Sequence, residues 1–192
     1  MKKFCIVGLG EHSKNKLIPA IIESNNLLSG IVSKKVDLKL RYKNTLIFSE
    51  LTEALNFFNK KEVIFVIATP PDTHFNFLQE ILQNSFHAMV EKPILLSSEH
   101  FYKVEKIANN NNVTFYECFM HRYGLLYKEF MAIYNSNVEK IKLIEIDFCI
   151  PSVPDNTFRD KNDLKSSVIY DIGCYPFSLL NDLNIINKKI NI

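Results

Sequence analysis

The stretch FCIVGLGEHS, residues 4–13, decides the fold, because an apolar run passes here directly into a glycine turn. The run ends at Gly8 and Gly10, and apolar residues at helical spacing follow in KLIPAIIES, residues 16–24. A strand, a glycine turn and a helix in this order are typical of a site for a dinucleotide's diphosphate. Gly8 permits the tight turn, and Gly10 lets the backbone approach the ligand. Ser13 stands where that fingerprint has its third glycine. Two glycines alone also fit a plain turn, so the interpretation depends on the rest of the chain.

Strand-like and helix-like segments alternate throughout the first 120 residues. VIFVIATPP, residues 63–71, is nearly all apolar, as expected for a strand covered on both faces. Ser49 and either Ser97 or Ser98 are the predicted helix N-caps. This alternation predicts an α/β fold, a Rossmann-type doubly wound parallel sheet with helices on both faces. The predicted strands are 4–10, 27–33, 45–48, 63–71, 86–90 and 113–119, and the predicted helices are 16–24, 49–58, 73–84 and 97–111.

The pattern changes after about residue 120. A predicted helix over 124–136 leads to KIKLIEIDFCI, residues 140–150, whose alternating apolar and polar residues predict a half-exposed strand. A polar loop then leads to a predicted helix over about 170–182. We therefore expect two domains: a nucleotide-binding Rossmann domain over residues 1–120, and the incomplete start of an α+β substrate or oligomerisation domain over residues 121–192.

Composition narrows the class of function. Of the 192 residues, 47% are hydrophobic and 23% are charged, which is ordinary for a soluble globular protein of one domain or slightly more. A net charge of +2 is too small to indicate a nucleic acid or membrane partner, and no apolar stretch approaches the ~20 residues of a membrane helix. The four cysteines show no metal-binding spacing, and three of them lie in apolar runs. Buried thiols in a reducing compartment are expected, hence a cytoplasmic protein.

Polar side chains follow the second predicted strand in GIVSKK. Dinucleotide sites that select NAD place an acidic residue here, to bind the ribose 2′-hydroxyl. This chain has Ser33, Lys34 and Lys35 instead, and a hydroxyl with two cations accepts a 2′-phosphate that a carboxylate would repel. The other interpretation is a polar loop with solvated lysines. On ligand charge we favour NADP over NAD as the cofactor.

Two further strand ends carry irregular polar residues. ATPPDTH places Thr69, Pro70 and Pro71 after the fourth strand, with His74 one turn into the helix. Taken alone, His74 fits a surface histidine at a helix N-terminus better than a ligand contact. MVEKPI ends the fifth strand on Glu91, Lys92 and Pro93, where a surface turn would have Gly, Asn or Asp. In an open α/β sheet ligands bind beyond the carboxyl ends of the strands, so the strand ends predict one site. The candidate cofactor-binding residues are Gly8, Gly10, Glu11, Ser33, Lys34, Lys35, Thr69, Pro70, Pro71, His74, Glu91 and Lys92.

The segments GLG…IPAI, VIATPPDTHFNFLQEILQNSFHAMVEKPI and YDIGCYPF, in this order, resemble the Gfo/Idh/MocA oxidoreductases, the relatives of glucose–fructose oxidoreductase and inositol dehydrogenase. The resemblance runs over essentially the whole chain, and residues 66–94 are its most specific part. It implies a nicotinamide-dependent enzyme acting on a sugar, a cyclitol or a related alcohol. The signature DIGCY, residues 171–175, is similar to that of dihydrodiol dehydrogenase and of the keto-sugar reductases of deoxysugar pathways.

The resemblance also implies roles for individual residues. Lys92 would lie near the nicotinamide and the reacting oxygen, and the peptide bond before Pro93 is often cis in this family. Tyr175 would donate a proton to the carbonyl oxygen, a role that Lys92 takes in some members. The bland alternative for Tyr175 is a ring packed on its helix near Phe177 and Leu180. Of the remaining candidates, Glu91 would face the nicotinamide ribose, Asp171 would orient its neighbours or touch the cofactor, Arg159 would help hold the cofactor, and Arg122 stands where the family tends to have an arginine.

The sequence departs from the family in two places. Ser166 and Ser167 replace the glycines that usually precede the signature, and only the first strand and the signature helix of the family's second sheet are present. A fragment, a shortened remnant and a homo-oligomer that completes its second-domain sheet with another subunit all fit. We expect an NADP-dependent oxidoreductase that interconverts a keto-sugar, free or nucleotide-linked, or a related cyclic ketone with its alcohol. The alternative is a non-catalytic nucleotide-binding or interaction protein.

Overall fold

The computed structural model of the chain describes residues 1–34, 42, 44–151 and 168–185. The chain divides into two compact units, Met1–Cys118 and Phe119–Ile192.

A six-stranded, all-parallel sheet forms the centre of the first unit. Its strand order is β3-β2-β1-β4-β5-β6, the order of dinucleotide-binding α/β folds, which confirms the predicted fold class. All six predicted strands form, and β1, β2, β4 and β6 end earlier than predicted because their polar ends turn into loops. The strands are β1 (Lys3–Val7), β2 (Leu27–Val32), β3 (Leu46–Phe48), β4 (Val63–Ile67), β5 (His87–Val90) and β6 (Phe115–Glu117).

Helices cover both faces of this sheet because successive residues of each strand point to opposite sides. Cys5 and Val7 of β1 pack against the helices on one face, and Ile6 packs with Ile18 and Ile21 on the other. The first face is covered by α2 (Leu51–Phe57), α3 (Pro71–Gln83) and α4 (Ser98–Asn111), and the second by α1 (Ile18–Glu23).

The starts of the first two helices differ from their prediction. Glu50 rather than Ser49 is the N-cap of α2, because Glu53 accepts hydrogen bonds from the backbone N–H groups of both residues in a capping box. A π-helical turn, Ser13–Leu17, precedes α1, so the helix after the glycine turn begins earlier than predicted. Ser97 occupies the N-cap position of α4, one of the two predicted alternatives, without a capping hydrogen bond from its side chain.

The regular elements in the described part of the second unit are helices. α5 (Leu125–Asn137) lies between 3₁₀ turns at Met120–Tyr123 and Val138–Lys140. The predicted helix over 170–182 is two helices, α6 (Val168–Asp171) and α7 (Cys174–Asp182). They are separated at Gly173, where an added Cβ would lie 2.4 Å from the carbonyl oxygen of Ile169. Glycine is therefore required at this junction.

The predicted strand over 140–150 is wrong. Lys140 ends a 3₁₀ turn, and residues 141–150 form neither strand nor helix. Alternating residues form a strand only when a neighbouring strand takes up their backbone hydrogen bonds, and no described residue does so here. Leu143 and Phe148 consequently stay exposed, at 73% and 40%. The homo-oligomer was expected to form through this strand. It stays a prediction, without a strand at residues 141–150 to support it.

An ion pair and a tyrosine hydroxyl fasten α7 to the start of the second unit. The Arg122 guanidinium donates two hydrogen bonds to Asp182, one from Nε at 2.9 Å, and the Tyr127 hydroxyl donates to the same carboxylate. Burial alone would lower the pKa of Arg122, but Asp182 raises it above its ordinary value. Tyr134 donates to the Leu183 carbonyl oxygen at 3.0 Å. Arg122 thus has a structural partner within its own unit.

The cysteines are less uniform than predicted. Cys5 is fully buried, Cys118 and Cys174 are half-buried, and Cys149 is exposed, in a segment that pairs with none of the strands described. Burial, with the nearby carboxylates of Glu91 and Glu117, raises the pKa of Cys118 to about 12. None of the helices described is long and apolar enough to cross a bilayer.

Candidate functional site

The glycine turn after β1 lies at the carboxyl edge of the sheet, against the end of β4. Gly8 has a φ of +96°, and its N–H donates to the Val32 carbonyl oxygen at 3.1 Å. A Cβ on Gly8 would lie 2.7 Å from Cγ2 of Thr69 and 2.9 Å from the Ala68 carbonyl oxygen. Only glycine fits, because both the left-handed backbone and the contact exclude a side chain.

Ser13 replaces the third glycine of the fingerprint without opening the turn. The side chain is fully buried, and its hydroxyl donates to the Gly8 carbonyl oxygen at 2.9 Å. A small residue fits where the helix approaches the strand, and the hydroxyl bonds to a partly buried backbone acceptor. The departure at Ser13 is therefore compatible with the dinucleotide-binding turn.

Gly10 provides the structural test of whether a dinucleotide fits. A Cβ built on Gly10 meets no described atom within 4 Å, so nothing in the fold itself requires glycine there. The open space lies where the fingerprint brings the diphosphate against the backbone, at the start of the helix. The glycine turn therefore leaves room for the diphosphate of a dinucleotide.

Two of the three predicted 2′-phosphate ligands are described at the end of β2, a half-buried Ser33 and an exposed Lys34. The Ser33 N–H donates to the Phe48 carbonyl oxygen at 2.9 Å, which fixes the backbone beside β3. The Lys34 ammonium is 82% exposed and lies 3.4 Å from the Glu50 carboxylate. Lys35 lies outside the described residues. Lys34 therefore provides one of the positive charges that favour a 2′-phosphate, and it also forms a surface ion pair with Glu50.

The loop after β4 is built around Thr69. Pro70 is the N-cap of α3 and Pro71 its first residue, a position where the missing N–H costs nothing. The Thr73 hydroxyl lies 2.6 Å from Oγ1 of Thr69. His74 is fully buried, so the interpretation as a surface histidine is wrong. Its two ring nitrogens lie close to backbone carbonyl oxygens, which argues against direct contact with a cofactor.

Lys92 lies in a loop whose neighbours are held by hydrogen bonds. The Glu91 N–H donates to the Ile67 carbonyl oxygen at 2.9 Å, and the Ile94 N–H donates to Glu117 at 2.8 Å. Lys92 is half-buried, and the peptide bond to the buried Pro93 is cis, as the resemblance led us to expect. The lysine is therefore presented from a fixed loop at the same sheet edge as the glycine turn.

A contact that sequence reasoning missed joins the glycine turn to this loop. Nε2 of His12 lies 3.0 Å from the Glu91 carboxylate, which is 12% exposed. The two residues are 79 positions apart, and no local pattern links them. The neighbouring Glu11, a predicted cofactor ligand, instead accepts from Lys14 at 2.7 Å. His12 therefore contacts the loop that carries Lys92, while Glu11 as a cofactor ligand stays a prediction.

Tyr175 belongs to an aromatic cluster of the second unit, with Phe119, His121 and Phe148. Its ring stacks on Phe148 at 4.6 Å between centroids and 9° between planes, and the His121 ring lies 5.2 Å away. The ring contacts Phe119, His121 and Phe148, which the bland alternative of packing near Phe177 and Leu180 did not include. Asp171 ends α6 and is half-buried, while Arg159 lies outside the described residues.

His121 is the titrating member of that cluster. Burial, and then the positive charge of Arg122, lower its pKa below the ordinary histidine value, against the opposing effect of Asp182. Nε2 lies 3.3 Å from the Ser178 hydroxyl, and the buried Nδ1 contacts no hydrogen-bond partner among the described residues. A second proton on the ring is therefore poorly accommodated.

This lowered pKa predicts a pH dependence of stability. As the pH falls below about 6.5, the unfolded chain takes up the His121 proton before the folded chain does, so the free energy of unfolding decreases. In His121→Phe the loss of Tm between pH 7.5 and 5.5 should shrink by about 1–2 °C, a small effect because the side chain is partly solvated. Thermal unfolding at both pH values measures this change in Tm. Tyr127→Phe is the control and should lower Tm equally at both; an unchanged pH slope in His121→Phe contradicts the prediction.

Comparison with known proteins gives the family. The family model "Oxidoreductase family, NAD-binding Rossmann fold" (Gfo/Idh/MocA) matches residues 2–119. A dTDP-3,4-didehydro-2,6-dideoxy-α-D-glucose 3-reductase of Saccharopolyspora spinosa is 23% identical over 114 residues, which are 57% of this chain and 33% of that protein.

Solved structures share the fold. The WlbA dehydrogenase of Bordetella pertussis, in complex with NADH and UDP-GlcNAcA, is 23% identical with a TM-score of 0.64, over 71% of this chain and 43% of that one. Scyllo-inositol dehydrogenase of Lactobacillus casei is 20% identical with a TM-score of 0.61, over 72% and 42%. This chain therefore spans less than half the length of each of these relatives. With its glycine turn, its strand order and the family match over residues 2–119, the chain belongs to the Gfo/Idh/MocA oxidoreductases.

Proposed function

We propose that the chain binds NADP and interconverts a keto-sugar, free or nucleotide-linked, or a related cyclic ketone with its alcohol. The observation that carries the proposal is the position of Lys92, which follows β5 at the same sheet edge as the glycine turn. The S. spinosa relative, named as a sugar-nucleotide reductase, and the B. pertussis relative, solved with NADH and a UDP-sugar, support this substrate class.

The nicotinamide, when bound, supplies or accepts the hydride. Gly8, Gly10 and Ser13 hold the diphosphate turn, and Glu91 is the candidate ligand of the nicotinamide ribose. The Lys92 ammonium polarises the carbonyl, because a cation beside the oxygen stabilises the negative charge that develops there during reduction. The oxygen then needs a proton, which Lys92 or the phenol of Tyr175 donates. In the oxidative direction the same group accepts that proton.

The preference for NADP rests on charge at the end of β2. Lys34 is exposed and pairs with Glu50 only at the surface, where an ion pair contributes about 0–1 kcal/mol. Replacing Glu50 by a 2′-phosphate as the partner of Lys34 therefore costs little free energy. No carboxylate stands at residues 33–35 to select the 2′-hydroxyl of NAD.

Calorimetric titration of the chain with NADPH and with NADH tests the proposal. We expect NADPH to bind about tenfold more tightly than NADH, and Lys34→Glu to abolish or reverse that preference by charge repulsion. Lys128→Glu, an exposed lysine of α5, is the matched control and should leave the ratio unchanged. Equal affinity for the two cofactors in the unaltered chain would contradict the NADP assignment. Binding of neither would contradict the whole proposal.

A second candidate is a dinucleotide-binding protein without turnover. It is favoured by residues 141–150, which form no strand and expose Leu143 and Phe148 where a substrate-domain sheet was expected. Micromolar binding of NADPH, with no oxidation of it by a panel of free and nucleotide-linked keto-sugars, would support this candidate over the enzyme.

A further inference from the structure

We infer that His74 is a positioning residue for Lys92, through a clamp that joins the loops after β4 and β5. The inference rests on the proposed function, because it concerns the lysine that the proposal makes catalytic. The residues of the clamp are His74, Thr69 and Pro93.

The geometry of His74 is that of a bridge between two backbones. Nδ1 lies 2.9 Å from the Pro93 carbonyl oxygen, and Nε2 lies 2.8 Å from the Thr69 carbonyl oxygen. The ring is fully buried on the first turn of α3. Both ring nitrogens are therefore used inside the protein, and each contacts the loop at a different strand end.

The Pro93 carbonyl is the third anchor around Lys92. The Glu91 N–H and the Ile94 N–H are held by Ile67 and Glu117, so the hydrogen bonds on either side of the lysine come from β4 and β6. The contact from His74 adds α3 to these two strands. It touches the carbonyl of the residue directly after Lys92, which makes it the anchor that fixes the exit of the loop.

The Thr69 end of the clamp extends the connection to the glycine turn. Thr69 packs so closely on Gly8 that a Cβ there would lie 2.7 Å from the threonine methyl group. Through Thr69, His74 therefore fixes the position of Lys92 relative to the turn that is to hold the diphosphate. A shift of about 1 Å between a catalytic group and a bound reactant costs roughly 100-fold in rate, so such a connection has a catalytic consequence.

The chemistry explains why a histidine stands here. A neutral imidazole donates to one carbonyl oxygen and an imidazolium donates to both, whereas an apolar ring of the same size leaves two carbonyl groups facing carbon. Removing a donor from a buried acceptor is costly, so the loops are expected to move apart toward water. Amide side chains allow the two contacts of the ring to be tested one at a time. The Asn amide nitrogen corresponds to Nδ1 and retains the Pro93 contact, while the Gln amide nitrogen corresponds to Nε2 and retains the Thr69 contact.

Three variants of the full chain, His74→Phe, His74→Asn and His74→Gln, test the clamp. Hydrogen exchange of the Ile94 amide, read by NMR against the amides of β1, reports the loop without any need for turnover. We expect His74→Phe to accelerate Ile94 exchange at least tenfold relative to β1, and His74→Asn to restore most of the protection while His74→Gln does not. Where turnover is detectable, kcat should follow the same order, with a fall of at least tenfold in His74→Phe and a cofactor Kd within about threefold of the unaltered chain.

The control is His87→Phe, since His87 contacts Thr114 at the opposite end of β5 and should change neither quantity. Unchanged Ile94 exchange in His74→Phe would overturn the inference. So would equal acceleration at Ile94 and throughout β1, because His74 would then only stabilise the domain. If no substrate is turned over, the proposed function fails while the exchange pattern still decides whether the clamp exists.

Discussion

Replacing Lys92 with Met is expected to lower turnover about 1,000-fold while the Kd for NADPH stays within about threefold of the unaltered chain. Methionine keeps an unbranched side chain of similar length but removes the ammonium. The variant therefore loses both the cation that polarises the carbonyl and one of the two candidate proton donors. The parts of the dinucleotide site in the glycine turn and at the end of β2 are not altered.

The structure makes this separation of turnover from binding a sharp test. The backbone around Lys92 is held by the amides of Glu91 and Ile94 and by the carbonyl of Pro93, none of which involves the lysine side chain. The loop should thus keep its position in Lys92→Met. Steady-state rates with NADPH and a keto-sugar panel, together with calorimetric Kd values, measure the two quantities.

Lys106→Met is the matched control, because Lys106 is an exposed lysine of α4 whose removal should leave kcat within twofold. Turnover by Lys92→Met at more than about a tenth of the normal rate would contradict the assignment of Lys92. Tyr175→Phe distinguishes the two proton donors. If Tyr175 donates the proton, kcat should fall about 100-fold in that variant as well.

The fold was predictable because its determinants are local. Residues 4–10 carry both the apolar run and the glycines, and β4 reads as a nearly unbroken apolar strand, so period and turn chemistry place each element without tertiary knowledge. The parallel order then follows from alternation alone. It brings Gly10, Ser33, Thr69 and Lys92 to one sheet edge, as the structure has them.

The predictions that failed have a common physical cause: each depended on a contact with a residue distant in sequence. Residues 141–150 have the alternation of a strand, but alternation cannot report whether a neighbouring strand is present. The burial of His74 depends on Pro93, 19 positions away, and the contact of His12 depends on Glu91. A buried polar residue and a surface one have the same local pattern at a helix start, so sequence alone could not distinguish them.

Gly8→Ala and Gly10→Ala both add one methyl group to the same turn, but we expect the first to lower stability and the second to weaken cofactor binding. In Gly8→Ala the methyl group meets Thr69 and the Ala68 carbonyl at a φ of +96°, and we expect a loss of about 3 kcal/mol, or about 6–12 °C in Tm. In Gly10→Ala the methyl group points into open space, so Tm should change by about 2 °C or less.

If a diphosphate occupies the space beside Gly10, Gly10→Ala should change the Kd for NADPH rather than Tm. We expect Gly10→Ala to raise the Kd for NADPH at least 30-fold in a chain that is otherwise intact, because the backbone can no longer approach the phosphates. Thermal unfolding and calorimetry on the two variants give both quantities, and each variant serves as the control for the other. A Gly10→Ala chain that binds NADPH normally would show that the open space is not the diphosphate site. In that case the glycine turn would be a structural feature only, because the requirement for glycine would then reside entirely at Gly8.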